Sequence, residues 1–168
     1  MEYFISGPGN GAINNGMRNN AKKLVENTVL NTYFNNAWNN RNKNHNYAIW
    51  NENGRMSGFA FVHNRGDKWY VSLIGARPGQ GIGTRLMTRI IENAKNRGVK
   101  KIKLDSVTNA FKFYTKLGFK VKSVNDEHII MYKKLGQDSP MKKSPSPPKR
   151  VKEIRRSPRI SSRQMVKK

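Results

Sequence analysis

Three features of this 168-residue chain have the residue types and spacing to do chemistry: a glycine-dense decapeptide, a tyrosine and an aspartate. The decapeptide is Gly75-Ala76-Arg77-Pro78-Gly79-Gln80-Gly81-Ile82-Gly83-Thr84, which joins an apolar run to an amphipathic one. Closely spaced glycines let the backbone approach a ligand, and free amides at a helix N-terminus point outward. Together they suit a phosphate or pyrophosphate. A nucleotide P-loop is excluded, because no Lys follows Gly81 or Gly83. A dinucleotide fingerprint starting at Gly79 needs a third glycine where Thr84 stands. Asp105 does end the next strand, where a ribose-binding acid belongs, but only one β-α-β unit follows a run of antiparallel strands. No metal site is expected: His45, His63 and His128 lie far apart, and the chain has no cysteine.

The elements that must position these residues can be read from periodicity. Tyr3–Ser6 reads as a short strand, residues 7–16 as a Gly/Asn loop and Asn20–Trp38 as one helix, with Asn39–Asn46 a polar break. Three strands follow, Tyr47–Trp50, Met56–Val62 and Trp69–Ile74. They are separated by Asn53-Gly54 and by Asn64-Arg65-Gly66-Asp67, the punctuation of an antiparallel meander. The pattern then changes period. Ile82, Leu86, Ile90, Ile91 and Ala94 form a helical stripe that Arg97-Gly98 stops. Lys100–Leu104 alternates as a strand. A helix capped by Ser106 or Thr108 runs to about Leu117, and Phe119–Ser123 and His128–Tyr132 complete the strands. Trp38, Trp50 and Trp69 fall in apolar patterns and are expected in the core, with Trp50 and Tyr70 also placed to line a groove.

With the loop and these elements in order, the sequence resembles the GNAT superfamily of N-acetyltransferases. Gly81-Ile82-Gly83 supplies the Gly-x-Gly of that family's loop between its fourth strand and third helix. Phe113-Tyr114-Thr115-Lys116-Leu117-Gly118-Phe119 matches its Phe-Tyr-x-Lys-Leu-Gly-Phe run. The resemblance covers residues 47–133. It implies an α+β fold, a single domain with a mixed central sheet of six to seven strands flanked by helices, and acetyl-CoA as co-substrate. It also implies roles. Backbone groups of Val71 and Leu73 would meet the pantetheine amides, and Gly79, Gln80, Gly81, Ile82, Gly83 and Thr84 would line the pyrophosphate. Tyr114 would be the acid that protonates the leaving thiolate. The signature's Gln/Arg position is held here by Pro78, so Arg77, one residue earlier, is the candidate to reach the phosphates. Asn109 lies five residues before Tyr114, where seven is common in the family; its roles are a contact with CoA or the start of the helix. The attacking amine must be neutral. Asp105 is the candidate base, its other reading being a helix cap or a partner for nearby lysines.

Charge sets the partners. The chain carries 33 Lys plus Arg against 10 Asp plus Glu, a formal +23, and a hydrophobic fraction of 36%. That fraction falls below the ~45–50% of globular domains, as expected if part of the chain is unfolded. Residues 1–135 read as the acetyltransferase domain, with 22 basic and 8 acidic residues. Residues 136–168 read as a disordered basic tail with 11 basic and 2 acidic residues. The tail's Ser144-Pro145, Ser146-Pro147-Pro148-Lys149-Arg150 and Arg155-Arg156-Ser157-Pro158-Arg159 would neutralise nucleic-acid phosphates without reading sequence. An amine-bearing small molecule or protein is the expected acceptor. The basic domain should repel free polyamines and attract anionic acceptors such as amino-sugar phosphates. A second reading is a nucleic-acid packaging protein on the same fold with lost or secondary catalysis. No run of about 18 apolar residues exists to span a membrane. The expected setting is intracellular, in cytoplasm or nucleus, or a virion if the Asn-rich usage reflects a large DNA virus.

Overall fold

The computed structural model describes residues 2–136; the Ser-Pro segments of the expected tail lie outside them. The elements are β1 (Tyr3–Pro8), α1 (Arg18–Lys23), α2 (Asn31–Asn40), β2 (His45–Trp50), β3 (Met56–Arg65) and β4 (Lys68–Ala76). They continue with α3 (Ile82–Asn96), β5 (Lys101–Ser106), α4 (Phe111–Lys116), β6 (Lys120–Val124) and β7 (Ile129–Lys134). The seven strands form one mixed sheet in the order β1-β2-β3-β4-β5-β7-β6. Every pairing is antiparallel except β4 with β5. A parallel pair needs a crossover, and α3 supplies it. The fold is therefore the α+β single domain with a mixed sheet that the resemblance implies.

Each face of the sheet carries its own core. On one, Ile82, Leu86, Met87 and Ile90 of α3 pack on Tyr47, Ala60, Val62, Trp69 and Val71. On the other, Val25, Phe34 and Trp38 pack on Ala48, Phe59, Phe61 and Leu73. One strand, β4, serves both. Trp69 and Val71 belong to the first core and Leu73 to the second, a switch of face between residues that simple alternation would keep together. The cause is a β-bulge. Phe61 pairs with Leu73 while Val62 pairs with Val71, so Ser72 is an extra residue in β4, and its hydroxyl donates to the Phe61 carbonyl at 3.1 Å. Past the bulge, Gly75 lies against Phe59 and Val25, so close that a Cβ there would sit 2.5 Å and 2.8 Å from them.

Two local expectations are corrected. The single helix over Asn20–Trp38 is two helices, broken between Lys23 and Asn31. Thr28 is the breaker: its hydroxyl donates to the Val25 carbonyl at 2.8 Å and accepts from the Leu30 amide at 3.2 Å, offering the backbone partners that compete with a helix. Neither Ser106 nor Thr108 caps the helix before Leu117. The segment begins as a 3-10 turn, Thr108–Ala110, with no side-chain cap, and the Ser106 hydroxyl donates to the Val107 carbonyl. Gly118, at φ 82°, ends α4 in the left-handed conformation that favours glycine.

Candidate active site

The site follows from how β4 and β5 part. They pair only from Lys68 with Lys101 to Val71 with Leu104. Beyond Val71, no described strand pairs with that edge of β4. Val71 is thus the last paired position and Leu73 lies on the free edge. A narrow cavity of about 50 Å³ fills the split, with Tyr114 and Ala110 of the α4 region lining it together with Asp105 of β5. A second cavity of about 220 Å³ shares Leu30, Ser72, Leu73, Asp105 and Val107 with the first. Asp105 therefore borders both spaces, whereas Tyr114 borders only the narrow one.

Tyr114 is buried among Phe113 and Phe119, and burial pushes its phenol well above the ordinary value near 10. Burial favours the protonated phenol, which can donate a hydrogen bond. Asp105 is exposed at its position on β5, and its Oδ2 accepts a hydrogen bond from the Tyr70 hydroxyl at 3.1 Å. It neither caps a helix nor pairs with a lysine among the described residues, so its partner is this phenol. Burial and then the Asp105 charge push the Tyr70 hydroxyl up to about 12.

The glycine loop sits where β4 ends and α3 begins. Gly79 and Gly81 adopt φ 78° and 64°. A Cβ on Gly79 would meet nothing, and on Gly81 only the Arg85 guanidinium at 3.8 Å, so both positions border open space. Gly81 is the N-cap of α3, with no side-chain cap and no acidic residue in the first turn. That leaves first-turn amides free to donate, a donor set that fits a pyrophosphate. Gln80 and Thr84 are exposed beside them, and Arg77 is half-buried with its amide fixed to the Ser57 carbonyl at 2.9 Å. Two residues of the loop turn inward. Ile82 is fully buried, and Gly83 faces the Phe113 ring at 3.4 Å from an imagined Cβ, which lets α3 and α4 approach. Asn109 lies in the 3-10 turn and lines a groove with Thr32, Tyr33 and Glu127 whose lining does not include Tyr114.

Tyr70, expected from the sequence to line a groove, lines the larger cavity; Tyr33, His63 and His128 do so too and escaped the sequence reading. His63 and Tyr70 line the larger cavity from adjacent positions on β3 and β4, their rings stacked at 6.0 Å, and His128 and Tyr33 line it from the opposite wall, with ring centroids 5.5 Å apart. Histidines 65 positions apart show no local spacing, so periodicity gives no hint that they meet. Trp50, considered for a groove, instead packs on the α1–α2 core. Arg85 also went unremarked. It stands one helical turn after Gly81, the spacing that puts its guanidinium beside the loop, where it pairs with Glu2 at 2.9 Å.

The geometry has known counterparts. The ribosomal-protein-S18-alanine N-acetyltransferase of Escherichia coli superposes with a TM-score of 0.62 at 20% identity, over 80% of this chain and 94% of that one. Tetrahymena GCN5 does so with 0.66 at 14% identity, over 79% and 96%. A Bacillus subtilis acetyltransferase, solved in complex with CoA, gives 0.62 at 14% identity, over 80% and 99%. These are likenesses of fold. No curated protein matches the sequence. Residues 19–119, well over half the chain, match the Acetyltransferase (GNAT) family, spanning the split strands, the glycine loop and Tyr114 alike. The chain belongs to the GNAT acetyltransferase family.

Proposed function

We propose that this protein is an N-acetyltransferase that moves the acetyl group of acetyl-CoA directly onto an amine. The observation that carries the reading is the split of β4 from β5: one continuous lining joins the free strand edge, a buried phenol and an exposed carboxylate. Acetyl-CoA, when bound, supplies an activated acetyl thioester. Its amide-bearing arm would complete the unpaired edge of β4 from Ser72 onward, as a strand would. Its pyrophosphate would take the free amides of Gly81–Thr84, with Arg77 and Arg85 as charged neighbours. That the Bacillus subtilis acetyltransferase of like fold was solved with CoA supports CoA as the kind of ligand.

The chain's own groups then divide the proton work. Asp105, held by Tyr70, first takes one proton from the incoming ammonium so that the neutral amine attacks; the second amine proton leaves to solvent as the amide forms and CoA departs as the thiolate. Tyr114 donates to the sulfur as the carbon–sulfur bond breaks. Burial makes it a weaker acid than a free phenol, so a hydrogen bond to the developing thiolate is its contribution rather than complete proton transfer. The test is calorimetric titration of the full chain with acetyl-CoA, with NAD as comparison. Saturable acetyl-CoA binding, weakened roughly 10–100-fold in Gly81→Val, is expected, because a β-branched residue at that positive φ is strained and fills the ligand's space. Binding of NAD in preference would overturn the reading.

A further inference from the structure

The larger cavity and the surface beside it have opposite characters. Inside, Asp105 shares the lining with the rings of Tyr33, His63, Tyr70 and His128, and among the described residues no Lys or Arg lines the space. A carboxylate among aromatic faces is a seat for an alkyl ammonium. Outside, the same sheet face turns strongly cationic. Lys101, Lys103 and Asp105 alternate on β5 with the buried Ile102 and Leu104, so the two lysines share the face of Asp105. Lys103 is the direct register partner of Tyr70 and stands two residues from Asp105, about 7 Å along the strand.

More cations crowd the same place. Lys68 pairs in register with Arg65 on one side and Lys101 on the other. Lys122, first, and then Lys101, Lys68 and Arg65 repel the Lys103 ammonium and hold it below its usual range. Arg65 is also near enough to the cavity to act on both His63 and Tyr70. Among the described residues, none of Arg65, Lys68, Lys101, Lys103 and Lys122 meets a carboxylate within ion-pairing distance. An uncompensated cluster of this kind costs stability through self-repulsion, and an anion relieves it. The seat for an ammonium and the seat for an anion thus adjoin across Asp105 and Lys103.

We infer that the acceptor is an amine carrying a phosphate group in the same molecule, its ammonium seated on Asp105 among the cavity's rings and its phosphate on Lys103 and Lys122. This rests on the acetyl-transfer reading, which it sharpens from any amine to a dipolar one. It disfavours polyamines and lysine-rich peptides, whose further cations would face Arg65 and Lys103.

The experiment measures kcat/KM of the full chain, with saturating acetyl-CoA, for glucosamine 6-phosphate and glucosamine, a pair differing in one phosphate, and for spermidine. The phosphate-bearing amine should be preferred at least tenfold, mainly through KM, and the preference should shrink as salt rises. In the Lys103→Ala/Lys122→Ala variant the ratio should fall toward one, while Lys103→Arg/Lys122→Arg should retain it. Equal use of the pair, preference for spermidine, or a ratio that survives the alanine variant overturns the proposal. Calorimetric binding of glucosamine 6-phosphate to the same variants separates this from failure of the parent reading. Lysine-dependent binding without acetyl transfer to any amine would refute transfer and keep the anion seat. Transfer without lysine-dependent binding would do the reverse.

Discussion

The two halves of the candidate site are made of different material. The half past the end of β4 is backbone: free amides at the start of α3, two glycines at positive φ and a strand edge without a partner. The half around Asp105 is side chain: rings and one carboxylate delivered by α2, β3, β4, β5 and the residue before β7. Backbone recognises what every member of a substrate series has in common, since its donors do not change with sequence. Side chains recognise what differs. A protein can therefore hold one half constant and reassign the other, and perturbations should fall on the two halves in different kinetic parameters.

The sharpest way to break this comparison lies at their junction. Tyr114→Phe leaves the ring packing against Phe113 and Phe119 but removes the phenol hydroxyl that lines the split. It should lower kcat by about 10–10³-fold with little change in the KM for acetyl-CoA. A loss confined to KM would assign Tyr114 to binding instead. On the backbone side, the weaker affinity of Gly81→Val should appear for every acceptor alike; an effect that varies with acceptor would mean the halves are not separable. On the side-chain side, Tyr70→Phe deletes one hydrogen bond to Asp105 and should cost about 2–10-fold in kcat/KM, leaving acetyl-CoA affinity intact by calorimetry.

The smallest effect lies outside both halves. Burial, and then the charge of Arg97, lower the pKa of His45, which stacks on Trp69. The unfolded chain therefore binds the proton more readily than the fold. This contribution is complete above the unfolded value near 6.5 and is lost as pH falls below it, by at most about 1.4 kcal/mol per pH unit. His45→Phe should flatten the fall of Tm between pH 7 and pH 5 without abolishing it, because His63 is shifted in the same direction. An unchanged slope would show that His45 does not titrate with unfolding.

The same contrast explains what could be read from sequence. The loop and the Tyr114 run are contiguous, and their function needs local chemistry, so Gly81, Gly83 and Tyr114 stand out in the bare string. The strand order was legible for a similar reason, each turn being punctuated by Gly or Asn. The cavity as a whole was not legible, although Tyr70 and Asp105 were singled out: His63 joins them through sheet register, and Tyr33 of α2 and His128 before β7 join through tertiary packing. Thr28 hid the break in the first helix, since the apolar spacing of Leu24, Leu30, Phe34 and Trp38 continues across it. The bulge was hidden too. Trp69, Val71 and Leu73 look like unbroken alternation, and only the adjacent Ile74, which packs on the α3 side, betrays the change of face.

Ser72 gives β4 one residue more than β3 can match. The opening between β4 and β5 is therefore no gap waiting to be zipped shut; it begins at Ser72, where two strands fall out of step by a single residue. Removing that residue would do more than narrow a cleft. It would bring β4 back into alternation, turn Leu73 out of the α1–α2 core and swing the side of Gly75 now filled by Phe59 and Val25 toward α3. Substrate access and the packing of half the domain hang on the same unit of length, so this position should tolerate many substitutions and no deletion.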